Sequence, residues 1–152
     1  MSSVRLTTVN TKKTIKEGST LGQGEINDCV VLAIAAVADL SYDQAHALVA
    51  EKLERKHRKG VRRFKLLDKL PSGTVLGQKT ITEVFVPVNR YKLYGELIPR
   101  KMRLGTFVKK TPAGTYLILV RGHALALKDG VVHDNLNSAK LECLVEHVFK
   151  VE

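Results

Sequence analysis

Residues 29–40, CVVLAIAAVADL, would be apolar on nearly every side of a helix. A helix without a polar face has to be covered on most sides, so this one must run through the middle of the protein. The alanines favour helix over strand, while Val30, Val31 and Ile34 pull weakly the other way. Asp28 or Asn27 suits the N-cap position. The preceding stretch, GQGEIND at 22–28, is polar and turn-like. Cys29 is therefore expected where a loop becomes a buried helix.

The other elements follow from periodicity and punctuation. SYDQAHALVAEKLERKH (41–57) reads as a second helix, with Ser41 and Gln44 as a capping box and an apolar stripe of Ala45, Leu48, Val49 and Leu53. Gly60 is a stop for it. Pro71, Ser72 and Gly73 mark a turn inside a mixed region, and QKTITEVFVPVNRY (78–91) is expected to be a short helix closed by Pro87. The strongest β signal is GTYLILVRGHALALKDGVVHDN. It predicts strands at 116–120, 123–128 and 131–134, with Asp129-Gly130 as a hairpin turn. LVEHVFKV at 144–151 is a further strand. Helices first and antiparallel strands after imply an α+β fold. The 152 residues fit one domain, 1–152, in which 1–20 form an extended arm or short strand.

Cys29 and His123 carry the chemical interest. Unpaired N–H groups and the macrodipole at a helix N-terminus favour a thiolate, and a nearby imidazole would complete its activation. The carboxylate of Asp28 opposes this. His123 opens a strand in RGHALAL, where a polar ring has no packing reason to be. A two-residue turn at Asp129-Gly130 pairs Lys128 with Val131 and leaves Asp134 diagonal to His123 on the same face. A three-residue turn would bring Asn135 opposite instead. Cys143 and His147 have a spacing that suits a metal on a helix, but this segment reads as a strand without another ligand, so no metal or cofactor is expected.

Charge bounds the partners. The net charge of +10, concentrated at 51–69 and 100–110, attracts acidic proteins, nucleic acid or anionic membranes, unless it is simply a solvated face. Aromatic content of 5% gives base stacking little support, which leaves recruitment of an acidic protein substrate as the better fit. No long apolar run or apolar leader is present, so neither a membrane span nor a secretory signal is expected. Two cysteines make no disulfide framework, and a reducing cytoplasm is the expected setting.

Gln23, Cys29 six residues later and the distant GHALALKDGVVHD together resemble the papain-like cysteine peptidase superfamily. The NDC before the apolar helix is similar to the bacteriocin-processing peptidase branch and its small stand-alone, phage-type relatives. The likeness covers about residues 20–135. It implies a papain-like fold, with N-terminal helices packed on a C-terminal antiparallel sheet. It also implies Gln23 in an oxyanion hole, Cys29 as nucleophile, His123 as general base and Asp134 as its orienting group. The implied reaction is hydrolysis of a peptide, isopeptide or amide bond in a protein or peptide substrate. Val30 departs from the pattern, because those peptidases often carry glycine or another small residue after the cysteine. The chain is also short for the family, which leaves the substrate class open. A transglutaminase or acyltransferase would use the same residues. A catalytically idle papain-like domain and a basic nucleic-acid-binding module are the readings of other classes.

Overall fold

The apolar segment is a helix, and it is buried at every position from Val30 to Ala38. The computed structural model describes residues 8–25, 27–56, 58–84, 88–93, 95–134 and 143–152. Strand β1 (Thr8–Asn10) leads through a π-helical turn at Lys12–Lys16 to α1 (Thr20–Gln23), α2 (Cys29–Ala38) and α3 (Tyr42–Lys52). Next come α4 (Arg63–Lys69), β2 (Val75–Leu76), β3 (Lys79–Val84), β4 (Val88–Leu93), β5 (Glu96–Lys101) and α5 (Leu104–Lys110). Strands β6 (Thr115–Val120), β7 (His123–Lys128), β8 (Val131–Asp134) and β9 (Val145–Val151) complete an α+β fold.

Seven strands form one sheet in the order β1-β8-β7-β6-β9-β3-β2, in which only β1 and β8 run parallel; β4 and β5 pair separately. Period-2 alternation gives the sheet two apolar faces. Leu117 and Leu119 of β6, with Ala124 and Ala126 of β7, join the core that contains α2. Ile118 and Val120, with Leu125 and Leu127, join a second core under Phe107 and Val108 of α5. Small alanines on β7 let α2 lie close to that strand. Each large apolar side chain so buried contributes about 1.5–3 kcal/mol relative to exposure.

Several expectations need correction. The segment 78–91 is not a helix: β3 and β4 occupy it, and Pro87 lies outside the described residues. Its TITEV alternation buries Ile81 and exposes Thr80 and Thr82 in a strand paired with β9. Helices do not all precede strands, since β1 joins the sheet beside β8 and β2 to β5 intervene. Helix α3 stops at Lys52 rather than near Gly60, because Glu54 takes a positive φ of 55° and turns the chain away. Helix α5 was not anticipated, although Leu104, Phe107 and Val108 have helical spacing and are all buried. Among the described residues, no helix is long and apolar enough to cross a membrane.

Candidate active site

Asp28 is the N-cap residue of α2, but its side chain makes no capping bond and is turned elsewhere. It is buried, accepts a 2.7 Å hydrogen bond from the Tyr42 hydroxyl and lies 2.8 Å from the Lys16 ammonium. A carboxylate satisfied this way loses most of its opposition to negative charge on the neighbouring residue. Cys29 follows at the first helical position, half-buried and free of any disulfide.

The partner for the thiol comes from the far end of the sequence. Val120 pairs with His123, so Arg121 and Gly122 make a two-residue connection. Gly122 has φ +70°, a conformation that costs any residue with a Cβ. That turn brings His123 to the first position of β7, the strand against which α2 packs. Asp129 (φ 48°) and Gly130 (φ 81°) then form the tight turn that pairs Lys128 with Val131 and Ala126 with His133. In this register Asp134 reaches His123, and the ring Nε2–H donates to its carboxylate at 2.5 Å, with both groups buried. Asn135 lies outside the described residues.

With Nε2 occupied by Asp134, Nδ1 is the nitrogen left for the thiol. Burial acts to strip the proton from His123, but hydrogen bonds to Asp134 and Cys29 and the charges of both groups outweigh it, raising its pKa to about 9. The ring is therefore an imidazolium at neutral pH, held between a carboxylate and a sulfur.

Gln23 stands six residues before Cys29, on the short helix ahead of α2. It ends α1, is exposed, and lines a separate hollow with Lys12, Lys13 and Lys16. Of the other described histidines, His46 meets Glu25, His133 is half-buried on β8, and His147 contacts Glu83 at 3.1 Å. Cys143 and His147 join no cluster of three or more metal-ligating side chains among the described residues.

A cavity of about 300 Å³ opens beside the pair, lined by Cys29, His123 and the apolar Val30, Val61, Leu66 and Leu119, with Arg62 also in its wall. Sequence reasoning missed the wall residues Val61, Arg62 and Leu66 and the buried group that anchors their segment. Glu25 accepts from the Arg55 guanidinium, from the Arg58 backbone N–H at 2.7 Å and from His46 at 2.6 Å. Burial acts to raise its pKa, but these donors and the Arg55 charge prevail and lower it to about 2. Asn27 adds a 3.3 Å bond to the Arg58 carbonyl. The loop before Cys29 is thus tied to the segment leading into the cavity wall. The sequence signal was slight: a carboxylate close before a cysteine, and basic residues thirty or more positions on.

Compared with family models, curated proteins and solved structures, the chain matches none.

Proposed function

We propose that this protein is a small cysteine hydrolase of papain-like type, acting on a peptide, isopeptide or amide bond in a protein or peptide substrate. The observation that carries the reading is the contact of His123 with both Asp134 and Cys29, at a helix N-terminus and beside an apolar cavity. A nucleophile, a base and an orienting carboxylate side by side are what such chemistry calls for, and that supports the reading.

In the proposed reaction the Cys29 sulfur attacks the carbonyl carbon, forming a C–S bond and a tetrahedral oxyanion. The Cys29 backbone N–H, at the first position of α2 where a helix offers no internal partner, donates to that oxygen. The imidazolium of His123 gives its proton to the leaving amine as the C–N bond breaks. The neutral ring then takes a proton from water, whose oxygen attacks the thioester; the C–S bond breaks, releasing the acid and restoring the thiolate beside the imidazolium. Asp134 holds the ring orientation and stabilises its charged form. Gln23, at the end of α1 and exposed, would supply the second oxyanion donor that the resemblance implies. An amine in place of water would make the enzyme a transglutaminase or acyltransferase.

The test is the rate of Cys29 alkylation by iodoacetamide across the pH range, in the wild type and in His123→Ala. The expected result is rapid alkylation persisting below neutral pH in the wild type and lost in the variant. A slow reaction that is indifferent to His123 would remove the hydrolase reading.

A further inference from the structure

We propose that the substrate presents a large apolar side chain flanked by acidic residues, and that a basic hollow beside the cavity binds those acids. This rests on the hydrolase reading and names the substrate class for the same site.

The hollow, about 360 Å³, is lined by Arg55, Lys56, Lys59, Arg62 and Lys65, with Glu54 as the one carboxylate among the described lining residues. It shares Val61 and Arg62 with the cavity that contains Cys29 and His123. An extended peptide advances about 3.3 Å per residue. A chain with one apolar side chain in the cavity would therefore lay neighbouring residues over the hollow.

The charges in it are not equivalent. Arg55 is buried and committed to Glu25, and Lys65 lies 3.1 Å from Glu54. Lys56 and Lys59 are exposed, as is Arg62, and among the described residues none of the three forms an ion pair. Placing several like charges side by side has a cost that an anionic ligand would relieve. A peptide is favoured over nucleic acid because no described lining residue is aromatic, and base stacking would have no platform. The continuity with the apolar cavity also matches a side chain followed by carboxylates better than a phosphate backbone.

The experiment uses iodoacetyl-Leu-Glu-Glu-Glu amide and a reversed peptide carrying iodoacetamide at its C-terminus, each beside its Gln counterpart. The ratio of Cys29 labelling rates, Glu over Gln, is measured in each protein, which cancels changes in thiol reactivity. The expected ratio is about tenfold for one orientation at ~0.05 M salt, the scale of a few exposed ion pairs, and falls towards unity at ~0.5 M. In the Lys56→Glu/Lys59→Glu variant the preference disappears at low salt, while the salt titration of the wild type stands as a test that needs no variant. A ratio near unity in both orientations would overturn the proposal, and so would a preference that survives the charge reversal. Stronger protection of Cys29 by an oligothymidylate than by polyglutamate of equal charge would also overturn it in favour of nucleic acid. Loss of the hydrolase reading is seen separately, in the alkylation rate with plain iodoacetamide.

Discussion

The Tyr42 hydroxyl donates a 2.7 Å hydrogen bond to the buried carboxylate of Asp28, the residue immediately before Cys29. Burial, followed by the bond to Asp28, pushes the Tyr42 ionisation upward, so it stays a donor throughout the working pH range. Helix α3 thereby reaches back to the start of α2 and holds the carboxylate away from the site.

Replacing Tyr42 by Phe leaves Asp28 with one fewer donor in a buried position. The expected loss of stability is about 1.5–3 kcal/mol, typical for a hydrogen bond to a charged group. Cys29 alkylation should also slow, since the carboxylate is then less well neutralised. Denaturant unfolding and alkylation kinetics read the two effects separately.

For His123, an NMR titration of the imidazole should show a midpoint near 9, and in Asp134→Ala the midpoint should fall, because burial is then less opposed. The sign of the linkage follows. A histidine raised from 6.5 to about 9 on folding adds stability that is fully present below 6.5 and is lost as pH rises through 9. Unfolding free energy measured from pH 6 to pH 10 should decline in the wild type by more than in Asp134→Ala.

Glu25 gives the opposite dependence. Its carboxyl falls from 4.5 to about 2 on folding, so its stabilisation is present above 4.5 and is lost as pH falls towards 2. Glu25→Gln leaves Arg55 buried beside a neutral partner and should cost about 3–5 kcal/mol at neutral pH. Acid unfolding of the variant should then depend less on pH than that of the wild type.

Filling the cavity separates the thiol from substrate binding. Val61→Phe should leave alkylation by small iodoacetamide nearly unchanged while slowing a leucyl iodoacetamide by about tenfold, roughly the effect of losing a methylene or two of apolar contact. Equal slowing of both reagents would mean that the substitution had disturbed Cys29 itself.

Local order was readable where one segment supplied its own reasons. The capping box of Ser41 and Gln44 starts α3, and the Asp129-Gly130 turn sets the register of β7 and β8. That register was enough to bring Asp134 to His123. The segment 78–91 misled because TITEV supports either element until a partner strand is known, and β9 provided that partner from the end of the chain.

Local signals along the chain therefore suffice for the buried helix beginning at Cys29, the hairpin joining His123 to Asp134, and the excess of basic charge. The helix and the hairpin rest on periodicity and turn chemistry acting within about a dozen residues, and the charge on composition alone. Tertiary structure decided that α2 and β7 meet at their first residues, that Asp28 is drawn off by Lys16 and Tyr42, and that Glu25 gathers His46, Arg55 and Arg58. It also left Gln23 facing solvent beside another hollow. The physical reason is that burial and ion pairing depend on which surfaces close over one another, and no spacing along the chain encodes that closure directly.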